Sequence, residues 1–123
     1  MVPETVIVVG REIAAALPEL LPSLESLGHR VIAAPEVEAL LPVLEGNPEA
    51  ILLVYDAESR GTAHRVLQAV TSYGRKVPVV VVTPNGNSDE YYELMSEGAY
   101  DYFDLRDGVE AIERSLRWAA QAA

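Results

Sequence analysis

Apolar residues gather into short runs along the chain, and stretches with a helical rhythm separate them. The runs are Thr5–Val9, Arg30–Ala34, Ile51–Tyr55, Val77–Thr83 and Tyr100–Phe103. The first, third and fourth are almost unbroken: VIVV, ILLVY and VPVVVVT. A strand with one wet face alternates apolar and polar positions. Unbroken β-branched runs therefore predict strands covered on both faces. Strands alternating with helices predict an α/β fold, a doubly wound parallel sheet between two helical layers.

The helical stretches carry start and stop signals. The first is predicted from about Glu12 to Leu27, closed by Gly28, with Pro18 and Pro22 inside it to kink it or delay its start. The second covers roughly Glu36–Glu45 and contains Pro42, and the third covers roughly Thr62–Tyr73, closed by Gly74. The fourth starts at Asn87 or Ser88 as N-cap and ends at Gly98. Asp89 and Glu90 in its first turn suit the helix dipole. The fifth runs from about Gly108 to Ala120.

Two of these helices can be read by face. In the fourth, Tyr91, Leu94 and Met95 make one stripe and Tyr92 lies to its side. In the fifth, Val109, Ile112 and Leu116 form the buried stripe, and Trp118 falls nearly opposite. An aromatic on the outer face is a candidate anchor for a partner; the plainer reading is a ring folded over a neighbouring helix.

Composition narrows the class. The chain has 123 residues, half of them hydrophobic, and no cysteine. One domain spanning 1–123 is expected, with neither disulfides nor thiol chemistry. No apolar run reaches the length of a membrane span, and MVPETVIVVG does not read as a signal peptide, so a cytoplasmic protein is expected. The formal net charge is −10, which argues against direct contact with nucleic acid or anionic membranes, both of which need Lys and Arg. From Asp89 to Glu113 there are nine acids and one base, Arg106. That density fits a basic protein partner, or simply a solvated acidic face.

The order of these pieces resembles the receiver domain of bacterial response regulators. PEAILLVYD (48–56) is similar to that family's third strand, and VPVVVVTP (77–84) to its fourth, which ends in Ser or Thr. EGAYDYF (97–103) resembles the segment entering the fifth strand. VIVVGRE (6–12) and SLGHRVIAA (26–34) fit the first half more loosely. The resemblance implies a flavodoxin-like, receiver-type fold: a five-stranded parallel sheet in the order 2-1-3-4-5, with the functional crevice at the carboxyl ends of the strands. It also implies a phosphoacceptor aspartate, an acid pair for Mg²⁺, a hydroxyl and a lysine.

Phosphoryl transfer to aspartate needs those parts for plain reasons. A carboxylate must be exposed as nucleophile. Mg²⁺ needs hard oxygen ligands. A cation must offset charge on the phosphoryl oxygens. Carried over residue by residue, the acid pair falls on Gly10 and Arg11: the first offers no ligand, and the second brings positive charge where the metal would bind. Glu12 follows and reaches the site only if the strand end shifts. The acceptor position falls on Val54. Asp56 is the nearest carboxylate, and is also well placed as a turn former after a strand. Thr83 matches the hydroxyl. The lysine position falls on Leu105, with Arg106 beside it, while the single lysine, Lys76, lies at the other end of the fourth strand. Tyr102 matches the family's switch aromatic, which moves with the Thr as the face formed by helix 4, strand 5 and helix 5 changes.

The leading expectation is a pseudo-receiver. It would be a non-enzymatic regulatory module in two-component signalling that works without phosphorylation, metal or other cofactor, through protein contacts. Its surface would be the acidic face carrying Tyr92, Asp101, Asp104, Glu113 and Trp118. Partners would be a basic protein, an output domain or a histidine kinase, and homodimerisation through that face is open to it, with Arg114 or Arg117 offsetting acid repulsion. A second reading is a working receiver with a displaced site: Asp56 as acceptor, Glu12 toward Mg²⁺, Thr83 and Arg106 on the phosphoryl group. A third is a small-ligand-binding or enzymatic domain on the same fold. No dinucleotide or P-loop motif supports it, though Arg11, Thr83 and Asn85 could line an anion cavity. His29 and His64 are expected too far apart to bind one metal.

Overall fold

A computed structural model of the chain describes residues 4–10, 12–57, 61–74 and 76–122. The strands are β1 (Thr5–Val9), β2 (Arg30–Ala34), β3 (Ile51–Tyr55), β4 (Val79–Thr83) and β5 (Asp101–Asp104). All pair in parallel, in the order β2-β1-β3-β4-β5. The helices are α1 (Ile13–Ala16), α2 (Leu20–Ser26), α3 (Leu40–Gly46), α4 (Thr62–Tyr73), α5 (Ser88–Ser96) and α6 (Val109–Ala122).

Every residue of β3 and β4 is buried, which is why those runs lack polar alternation. One face of the sheet presents Ile7, Val9, Leu52, Val54, Val79 and Val81 to α3, α4 and α5. The other presents Val6, Val8, Leu53, Val80 and Val82 to α1, α2 and α6. Each fully buried Leu, Ile or Val contributes roughly 1.5–3 kcal/mol from surface removed from water.

The prolines explain where elements depart from the sequence expectation. The first helix is two helices. Leu17, just before Pro18, takes φ −133° and ψ 77° and ends α1, as a residue preceding proline disfavours helical ψ. Pro22 then sits in the first turn of α2, where no helical hydrogen bond is lost. Likewise the second helix opens with a 3₁₀ turn, Val37–Ala39, before α3 begins. Strand β4 starts at Val79 rather than Val77, after Pro78, which has no amide hydrogen for the ladder. Strand β5 is shifted one residue on, to Asp101–Asp104, and α6 starts at Val109 and extends to Ala122.

Candidate functional site

The carboxyl ends of the strands form two separate constellations. The first surrounds a cleft of about 450 Å³ beyond β1 and β3, lined by Gly10, Glu12, Glu36, Glu38, Tyr55, Thr62 and Arg65 among others. This is the switch point where such sheets place ligands. Its charge is mostly acidic. Arg65 bonds the Glu38 carboxylate, so that cation is already engaged. The backbone bond of Glu38, and then Arg65, hold this carboxyl below its ordinary value.

Gly10 closes the first acid position sterically as well as chemically. Its φ is +112°, and a Cβ there would lie 2.9 Å from the Tyr55 carbonyl oxygen. A side chain at position 10 therefore meets both backbone strain and a backbone clash. Arg11 lies outside the described residues. Glu12 is exposed at the start of α1, and its charge, after burial, raises the Tyr55 phenol above its usual range.

Val54 is fully buried within β3, paired to Val9 and Val81. Asp56 follows the strand and its amide continues the ladder to the Val82 carbonyl. Its side chain is 2% exposed, and its Oδ2 accepts the Ala63 amide at 3.3 Å in the first turn of α4. That is the geometry of a carboxylate tying a strand end to the next helix.

The second constellation joins the β4–α5 loop to the end of β5. Thr83 is fully buried and stands in register with Asp104. Its Oγ1 accepts the Asn85 amide at 3.4 Å. Asp104 accepts the Gly86 amide at 2.7 Å, the Arg106 amide at 2.8 Å and the Arg106 guanidinium at 3.0 and 3.1 Å. These donors, Arg106 first, hold the Asp104 carboxyl well below the usual carboxylate range. Gly86 permits the approach: a Cβ there would sit 3.1 Å from Asp104. Arg106 thus folds back on its neighbour, and Leu105 packs against the apolar cluster of the α1, α2 and α6 face.

Tyr102 is the centre of this constellation. Its hydroxyl donates to Glu90 at 2.7 Å and accepts the Asn87 amide at 3.2 Å. Burial, then the bond to Glu90, pushes the phenol up to about 12. Tyr91 stands edge-on to both Tyr102 and Tyr92, with centroids 5.9 and 5.3 Å apart. A short aromatic ladder therefore runs from Tyr102 to the surface.

Thr83 and Asn85 are not among the described lining of the first cleft, and Arg11, expected beside them in an anion cavity, lies outside the described residues. The acids named for the interaction face are largely engaged within the chain. Asp101 accepts the Ser115 hydroxyl at 2.8 Å, Glu113 accepts that of Ser23, and Asp104 is held as above. The two aromatics are open instead: Tyr92 is 70% and Trp118 59% exposed. They lie on α5 and α6, in opposite helical layers beside the edge strand β5.

One group of residues escaped the sequence reading. His64 of α4 meets Glu97 at 2.7 Å and Glu93 at 3.6 Å. The bond to Glu97 raises the His64 pKa above its ordinary value, reinforced by the charges of Glu97, Glu93 and Asp56. The spacing of Glu93 and Glu97 puts both on one face of a helix, and that was the available signal. Which helix faced them was not readable from the sequence.

No family model matches the chain. A curated relative, the response regulator protein FleR of Pseudomonas aeruginosa, is 30% identical over 92 residues, which is 71% of this chain and 19% of FleR. The chain thus spans about a fifth of that relative's length. Among solved structures, FixJ-N superposes with a TM-score of 0.84 at 20% identity, covering 100% of this chain and 98% of that one. The Francisella response regulator 1452 receiver domain gives 0.82 at 12% identity, over 97% and 98%. A response regulator receiver domain protein from Clostridium thermocellum gives 0.80 at 16%, over 97% and 95%. Among the described residues, no helix is long and apolar enough to cross a membrane.

Proposed function

We propose that this chain, which has the fold of the response-regulator receiver domains, is a signalling module that works through protein contacts and without phosphorylation. The observation that carries the reading is Gly10. The position matching the family's first metal-binding acid has no carboxylate, a left-handed backbone and a Tyr55 carbonyl where a side chain would go. Leu105 at the lysine position supports it, because its side chain packs into apolar surroundings. So does the engagement of Asp56 with the Ala63 amide.

The read-out side is better furnished. Thr83 accepts the Asn85 amide, and Tyr102 bonds the Asn87 amide and Glu90, so both hold the loop that follows β4. Tyr92 and Trp118 offer large aromatic surface on either side of β5, the composition that anchors protein interfaces. The strongly acidic chain suits a basic protein surface. An output domain, a histidine kinase or a second copy of the chain are the partner classes this face would serve. The module is non-enzymatic on this reading, needs no cofactor and works in the cytoplasm.

The test is an amide-resolved NMR spectrum with and without Mg²⁺ and beryllofluoride, which mimics a phosphorylated aspartate. The expected result is an unchanged spectrum from a folded domain. Shifts at Asp56, Thr83 and Tyr102 that vanish in Asp56→Ala would overturn the proposal and restore a phosphorylation switch at Asp56.

A further inference from the structure

We propose that His64, Glu93 and Glu97 form a zinc-binding site that bridges α4 and α5. His64 lies on α4, Glu93 on α5 and Glu97 at the C-cap of α5, and one ligand atom from each lies within 4.8 Å of the others. In a tetrahedral site with zinc–ligand distances near 2.1 Å, ligand atoms stand about 3.4 Å apart. The His64 Nε2 to Glu93 Oε1 separation of 3.6 Å already matches that spacing. Glu97 meets the other ring nitrogen, Nδ1, so a metal on Nε2 requires the Glu97 side chain to swing across the imidazole edge.

The donor set selects the metal class. One imidazole nitrogen with two carboxylates suits zinc, whereas Mg²⁺ prefers oxygen alone. Three protein ligands leave a fourth position for water. An open groove lined by Gln68, Thr71 and Glu97 lies beside one of the three ligands. Charge points the same way. Glu93 and Glu97 lie four residues apart, and both meet the same His64. One imidazole thus faces two carboxylates, where a divalent cation would neutralise both. This site shares no residue with the strand-end positions of the receiver chemistry. Its occupancy would pin the helix after β3 to the helix after β4.

Isothermal titration of the metal-free chain with zinc chloride tests the site, with magnesium chloride in parallel. One zinc per chain is expected, with no heat from magnesium. Glu93→Gln and Glu97→Gln should each weaken binding at least about tenfold, His64→Gln should abolish it, and His29→Gln should leave it unchanged. Glu93 is largely exposed, so Glu93→Gln keeps the fold even if His64→Gln loosens the helix pair. Thermal melts without metal check each variant. No zinc uptake by roughly 100 µM, uptake retained in His64→Gln, or uptake lost in His29→Gln would overturn the proposal.

Discussion

Replacing Gly10 and Gly28 by alanine separates two costs that the structure assigns to position 10. Both glycines have positive φ, +112° and +93°. At Gly28 an added Cβ meets nothing within 4 Å, while at Gly10 it lies 2.9 Å from the Tyr55 carbonyl oxygen and 3.3 Å from its Cβ. Holding alanine in a sparsely populated backbone region costs about 1–3 kcal/mol at either site. The loss of unfolded-chain freedom on going from Gly to Ala is common to both and cancels in the comparison. Overpacking against a rigid strand adds about 1–3 kcal/mol, and only at Gly10. Gly10→Ala should therefore lie at least about 1 kcal/mol below Gly28→Ala in urea unfolding, with equal m-values. For a chain of this size that is a difference of roughly 4 °C in Tm. Gly10→Asp should lose at least as much as Gly10→Ala, and Mg²⁺ should not raise its Tm, although it returns a carboxylate to the family's metal position. Equal losses at positions 10 and 28, or a Mg²⁺-stabilised Gly10→Asp, would refute the claim that the backbone has closed this site.

Tyr102→Phe removes the hydroxyl bonded to Glu90 and Asn87, and should cost about 1 kcal/mol in chemical denaturation. The same residue sets an alkaline limit. Its folded pKa is raised from 10.0 to about 12, so its contribution is complete below pH 10 and is lost as pH rises toward 12; Tyr102→Phe should flatten stability across that window. Tyr92→Ala and Trp118→Ala each remove exposed rings and should change stability by less than about 0.5 kcal/mol. Together they should abolish any dimer seen by sedimentation at high concentration. A dimer that survives the double substitution would move the interface elsewhere.

The sheet was readable because burial on both faces leaves unbroken apolar runs, as in ILLVY and VVVVT. Prolines were visible too, but whether Pro18 kinks a helix or splits it depends on how Leu17 packs, which is a tertiary matter. The losses at Gly10 and Leu105 followed from the aligned residue types alone. That Gly10 is sterically closed did not, since it depends on Tyr55, some 45 residues along the chain. Nor did the sequence tell free acids from engaged ones. Asp101, Asp104 and Glu113 read as a charged surface, yet their oxygens meet Ser115, Gly86, Arg106 and Ser23 across turns and layers. The His64 cluster needed the packing of α4 on α5 before it could be seen.

The clasp of Asp104 on Gly86 and Arg106 carries one more consequence. It latches the loop beside Thr83 to the end of β5 using only atoms that every copy of the chain carries from synthesis onward. On the proposed phosphorylation-independent reading, a domain latched this way would offer each molecule in the same posture, so a cell that reads it would gain information from how many molecules it makes and how long they last, as with a dose rather than a toggle.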